Sequence, residues 1–243
     1  MKKAIGYVYV IAAAVCWGFL GLFNRVLTAA GVSLLNMMPL RFGGTAILFT
    51  VFCMMFKQQV FHIKLRHLPI FLGSGLISML LVLCGCALVS GIVGSDVGIS
   101  LEGLLMGLAS ELCYGGYTIF THYGMRYCDS FTMAYWKFLI AGIASLFLAD
   151  GPALLSALAE PRTGLAALGL MVMGTALPFT LYTKGLETVE SGKAAIIANI
   201  EPVMSAVIGV TVFQETLGLW TLVGIVLVLS GVVVLACEKE PDK

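Results

Sequence analysis

The chain has 243 residues, 60% of them hydrophobic and only 11% charged, with a mean hydropathy of +1.01. Soluble domains carry about 25% charged residues, so a water-soluble globular enzyme is excluded. Lys+Arg number 14 against 13 Asp+Glu, which leaves no basic face for nucleic acid, and continuous apolar runs without dyad alternation exclude an outer-membrane barrel. The expected fold is an all-α polytopic membrane helix bundle whose first partner is the lipid bilayer.

Apolar runs between polar breaks predict eight spans, at residues 5–29, 36–56, 68–94, 100–123, 131–149, 165–184, 194–213 and 217–237. Lys2 and Lys3 precede the first run as in a signal peptide, but no small-residue cleavage site ends it, so it is expected to be a span. Between the fifth and sixth spans, residues 153–159 predict a short interfacial helix. Seven cysteines is an odd number, and Cys16, Cys53, Cys84, Cys86 and Cys113 fall inside apolar runs, where cysteine packs as a small hydrophobe. No disulfide, metal or other cofactor is expected.

Positive charge orients the bundle. Lys2, Lys3, Lys57, Lys64, Arg66, Arg126, Lys184, Lys193, Lys239 and Lys243 fall on one side, and Arg162 alone on the other. Both termini are therefore expected in the cytoplasm, in a multi-pass protein of the inner membrane.

Shifting the sequence by 97 residues lays Gly6 over Gly103, Cys16 over Cys113, Trp17 over Tyr114, Gly18 over Gly115 and Phe23 over Phe120. One residue of slip later, Arg41 and Phe42 meet Lys137 and Phe138. The span from residue 5 runs outward and the one from residue 100 inward. This predicts an inverted-topology repeat, an architecture of secondary transporters. Residues 1–99 would form a first repeat of three helices and residues 100–243 a second of five. The end of the third span, Leu81-Val82-Leu83-Cys84-Gly85, matches Leu227-Val228-Leu229-Ser230-Gly231. Its start near Gly75 aligns with the span around Gly174. The 47 residues from 180 to 226 then have no partner in the first half. The third span is predicted to fuse two same-direction helices, with a whole helix lost between them.

The segments Ala176-Leu177-Pro178-Phe179, Gly192-Lys193-Ala194-Ala195, Ile200-Glu201-Pro202-Val203 and Gln214-Glu215, with the opening Cys16-Trp17-Gly18-Phe19, carry a further signal. Through them the chain resembles the EamA family of the drug/metabolite transporter superfamily. The resemblance implies two inverted five-helix repeats and export or exchange of a small metabolite through a central cavity. It implies no catalytic residues, and no HExxH or GxSxG motif is present.

Candidate site residues follow from the cost of polarity in a membrane. Glu201 lies mid-span, where a carboxylate costs about 2.5–3.5 kcal/mol, and is expected to contact substrate or a proton, or else to brace a structural kink. Pro202 beside it and Pro178 are expected helix breaks. Asn199, two residues from Glu201, projects from a different face and is a further substrate-binding candidate. Arg41 and Lys137 are matched by the repeat: either they attract an anionic substrate group or they snorkel to headgroups. Glu111, on the preceding helix, is a candidate ion-pair or proton partner for Lys137. Trp17, Tyr114, Tyr117 and Trp136 are candidates for an aromatic pocket or for ordinary packing. His62 and His67 are expected on a solvated loop.

The expected function is a transporter that exports or exchanges a small metabolite, amino acid-like or amphipathic, by alternating access. The alternative is a non-transporting membrane remnant or scaffold, inactive because of the missing helix. The gap is expected to open sideways and expose Glu201 or Lys137 to lipid, unless a homodimer supplies the missing wall.

Overall fold

The computed structural model describes residues 2–61, 63, 67–89, 101–147 and 149–237, and these are helices and short connections. The first helix pair, α1 (Lys2–Gly18) and α2 (Leu20–Ala29), is followed by α3 (Leu34–Met38), a π turn over Pro39–Gly43 and α4 (Gly44–Phe56). Then come α5 (Leu68–Val89), α6 (Leu101–Gly124), α7 (Ser130–Leu146) and the short α8 (Gly151–Leu158). A second π turn, Val172–Ala176, joins α9 (Pro161–Met171) to α10 (Leu177–Gly185). The last three are α11 (Ser191–Ala198), α12 (Ile200–Phe213) and α13 (Leu219–Cys237).

Local chemistry sets the ends. The Ser33 hydroxyl accepts from the Asn36 N–H at 3.2 Å and starts α3. The Asp150 carboxylate accepts from the Ala153 N–H at 3.2 Å, with a proline in the first turn, and starts α8 where the sequence predicts a short helix. Gln214, at φ +56°, ends α12 in the left-handed region.

Among the described residues, four helices are long and apolar enough to cross a membrane: Ala4–Ala29, Leu35–Phe56, Pro161–Gly185 and Ser191–Phe213. A fifth follows if α7 and α8, bent by 112°, are one span. The molecule is a helical membrane bundle.

The two prolines act differently. Pro178 leaves the Gly174 carbonyl without its donor; the helix widens into the π turn, where the Thr175 hydroxyl donates to the Leu170 carbonyl at 2.8 Å, and runs on to Gly185. Near Pro202 the ladder is interrupted at Asn199, between α11 and α12.

Neighbour contacts fix directions. Gly6 lies beside Thr188 and Val189, Gly174 beside Leu20 and Gly169 beside Phe23, so α1–α2 run antiparallel to α9–α10. The Asp150 N–H donates to Asn36 Oδ1 at 2.8 Å, the Thr50 and Tyr135 hydroxyls are 3.4 Å apart, and Lys57 reaches Asp129 at 3.2 Å. So α3–α4 run antiparallel to α7. One end of the bundle holds Leu27, Met37 and Leu40 packed on Ala166 and Ala167; the other holds Gly6, Lys57 and Asp129.

At the crossing of α7 with the first π turn, a Cβ on Gly142 would stand 3.0 Å from the Gly43 Cα and 3.2 Å from the Phe42 carbonyl oxygen. Backbone cannot rotate away as a side chain can. Gly142→Ala should therefore destabilise the bundle by about 1–3 kcal/mol, read as a lower Tm in detergent. Gly115→Ala, with nothing within 4 Å of its Cβ, should not.

Candidate substrate site in the bundle core

The buried face of α7 carries Met133, Ala134, Lys137, Phe138 and Ala141 at helical spacing, and Lys137 is 1% exposed. Its Nζ lies 3.6 Å from the centre of the Phe179 ring, 4.2 Å from Phe138 and 4.6 Å from Tyr117. It donates to the Tyr117 hydroxyl at 3.3 Å. Three ring faces and a phenol hold the ammonium inside the bundle. Lys137 does not snorkel and is not left facing lipid, because Tyr117, Phe138 and Phe179 close over it. Arg41 sits in the first π turn with its guanidinium carbon 6.0 Å from the Phe179 ring, near enough to act on Lys137 as a like charge.

Aromatic rings extend the cluster. Trp17 meets Phe179 at 5.0 Å, Tyr182 at 5.3 Å and Tyr114 at 6.5 Å between centroids. Tyr114 lies 6.3 Å from Tyr117 and 6.0 Å from Tyr182, whose hydroxyl is 3.3 Å from that of Thr118. One polar atom here, Trp17 Nε1, is buried without a hydrogen bond to any described residue, and the Tyr114 hydroxyl has the Tyr182 side chain as its polar neighbour. Buried donors are costly unless satisfied, so a polar ligand atom would find partners in this cluster.

Glu201, in the first turn of α12, is part-buried, and its charge reaches Tyr114. The structure thus brings together Trp17, Tyr114, Tyr117 and Lys137, with Arg41 and Glu201 at the margins. Asn199 is not part of it: exposed, it donates to the Ala195 carbonyl at 3.3 Å. Trp136 turns away as well and donates to the Val60 carbonyl at 2.9 Å. The Glu111 side chain and His62 lie outside the described residues. Phe138 and Phe179, named above only within the repeat and the family-like segment, and Tyr182 complete the cluster without having been site candidates. Their sequence signal is spacing: Phe179 and Tyr182 lie three apart, just after Pro178.

The two ends carry ion pairs. Arg25 pairs with Glu215, and Lys57 with Asp129 at 3.2 Å. Burial pushes the Asp129 carboxyl up, but hydrogen bonds from Thr132 and Lys57 outweigh it and hold the group below its usual range. Beside this second pair lies a cavity of about 660 Å³ lined by Lys57, Val60, His67, Phe71, Arg126 and Asp129. His67, expected on a solvated loop, is part-exposed, lines this cavity and lies 4.5 Å from Tyr127 between ring centres.

Comparison with known proteins agrees with this architecture. The chain is similar to an uncharacterized transporter of Archaeoglobus fulgidus, 41% identical over 68 residues (28% of this chain, 25% of that one). It is similar to the uncharacterized transporter YwfM of Bacillus subtilis, 26% identical over 174 residues (70% and 57%). It also resembles the uncharacterized inner membrane transporter YicL of Salmonella typhimurium, 26% identical over 154 residues (60% and 48%). The matches span between a quarter and somewhat over half of those relatives' own lengths. These names point to transport rather than enzymatic catalysis. The model of the EamA-like transporter family matches residues 101–237, more than half of the chain, including α6, α7, α10 and α12 that carry the cluster. A membrane bundle with a buried cation among aromatic rings is thus a member of the EamA-like transporter family.

Proposed function

We propose that the protein exports or exchanges a small amino acid-like or amphipathic metabolite by alternating access, with the substrate bound at Lys137, Trp17, Tyr114 and Tyr117. One observation carries the reading. Positions matched by the sequence repeat meet in the core: Trp17 on Tyr114, Phe42 on Phe138 at 6.2 Å, and Arg41 and Lys137 both at the Phe179 ring, 6.0 and 3.6 Å from its centre. Equivalent residues meet where two repeats share an axis, and inverted-repeat transporters bind substrate there. The division into residues 1–99 and 100–243 rests on the same pairs. Helices α5, α6 and α13, of 22, 24 and 19 residues, bring the proposed span count to eight; about 20 residues suffice to cross. The charge split then places both termini on the cytoplasmic side of the inner membrane.

Glu201 tests the site. Opening α12, its carboxylate benefits from the helix N-terminus, yet it remains expensive at membrane depth. Purified protein in proteoliposomes should move at least one solute of a metabolite panel above the rate of empty vesicles. Glu201→Gln should cut that rate about tenfold or more at unchanged membrane expression, in keeping with intramembrane acids acting in substrate or proton handling. Folded protein that moves no solute of the panel would favour the scaffold reading.

A further inference from the structure

We propose that Arg25–Glu215 and Lys57–Asp129 are opposed gate latches, one at each end of the bundle, parted alternately as the site opens to one side or the other. The proposal rests on the alternating-access reading above and assigns roles to four residues outside the substrate cluster.

Both pairs join the two halves. Arg25 and Lys57 belong to residues 1–99, and Glu215 and Asp129 to residues 100–243. The pairs lie at opposite ends, because α2 ends among Leu27, Ala166 and Ala167 whereas α4 ends beside Val60 and Asp129. Each cation is also held by a ring from the acid's own segment. The Arg25 guanidinium carbon lies 4.4 Å from the Phe213 ring centre, and Lys57 Nζ lies 4.8 Å from that of Phe131. In each case the phenylalanine is two residues from the acid. Separating the halves at either end therefore breaks a salt bridge and a cation–π contact together.

Each latch is mechanically tied to the cluster. Asp129 immediately precedes α7, and Lys137 lies about two turns further along that helix. Arg25 lies about two turns beyond Trp17, across the break at Phe19. Glu215 follows the left-handed Gln214, and its N–H donates to the Gly209 carbonyl at 3.1 Å, which holds it against the end of α12. With both latches made, Lys137 is sealed at 1% exposure.

Their strength suits the task. The side chains are about half exposed, 51% and 48% in one pair, 48% and 52% in the other. Half-exposed pairs of this kind shift a two-state equilibrium only a few-fold, to about tenfold with a ring contact. Such a latch biases a population without locking it.

The test uses full-length protein in oriented proteoliposomes, with the native Cys113, next to Tyr114, as sole thiol. A membrane-impermeant maleimide is applied from either face, and Tm is recorded as a fold control. Glu215→Gln should raise labelling from the Arg25 face about three- to tenfold and lower it from the other face. Asp129→Asn should do the reverse. The exchanged pair Arg25→Glu with Glu215→Arg should return the first profile toward wild type. Equal changes from both faces, or none, in variants of wild-type Tm would overturn the latches while leaving alternating access intact. Wild-type labelling confined to one face, with or without transported solute, would overturn both readings.

Discussion

Lys137→Gln should raise the apparent KM for an anionic substrate about tenfold or more and leave that for a neutral substrate within about twofold. The ammonium is buried and, among the described residues, has one hydrogen bond, to Tyr117, and ring faces on Phe179, Phe138 and Tyr117. It therefore retains donor capacity, since an ammonium carries three N–H bonds. A hydrogen bond to a charged group contributes about 1.5–3 kcal/mol, which is tenfold to more than a hundredfold in affinity. Glutamine keeps a donor for Tyr117 and much of the volume but removes the charge. It also removes a cation from beside Arg41, so fold stability should hold or rise. A purely structural lysine would give the opposite pattern: a lower Tm and equal changes for both substrates. Uptake kinetics on an isosteric acid and amide, with Tm measured alongside, separate the two.

How much of this was legible beforehand differs from residue to residue. Trp17 and Tyr114 are found by aligning the sequence with itself, since the proposed repeat would place equivalent residues at one axis, and the two rings meet at 6.5 Å between centroids. The short helix expected over residues 153–159 is found at Gly151–Leu158, and the Asp150 cap that starts it is a local device that needs no tertiary context. The side chain of Lys137 was ambiguous, since a lysine near a helix end can reach headgroups or turn inward. The rings of Tyr117, Phe138 and Phe179 decide that, and they come from three different helices. The π turns left no trace in hydropathy, as adding one residue to a turn changes ladder geometry without changing composition. Phe179 and Tyr182 were hidden by their background: in a chain this apolar, one more aromatic residue carries no contrast. Arg25 and Glu215, 190 residues apart, have no periodic relation that a sequence can display.

Inserting the helix-length segment of a full-length relative between Leu80 and Leu81 should raise both transport and thermal stability. In the proposed repeat, the first half has no sequence counterpart to residues 180–226, and α5 runs as one helix through the proposed junction. In an intact repeat the lost helix would mirror α11–α12 across the axis and form the opposite wall of the cavity. Lys137 does not need that wall, since rings already cover it. Glu201 does: it is only part-buried, on a helix whose Pro202, Val207 and Val212 are exposed. Valines are at ease against lipid, but an acid at that depth costs a few kcal/mol. Covering it should therefore stabilise the bundle. The proposed alternating access also requires two halves that exchange conformations, and a proposed first half of three helices cannot reproduce a second of five. The present chain should therefore transport poorly as a monomer, or obtain the wall from a second subunit. Crosslinking and mass measurement on transport-active protein distinguish these cases: activity confined to dimers places the wall in the partner, and the insertion should then release monomers that transport. Robust transport by verified monomers, unchanged by the insertion, would show that the shortened repeat is sufficient and that Glu201 is sheltered by the second half alone.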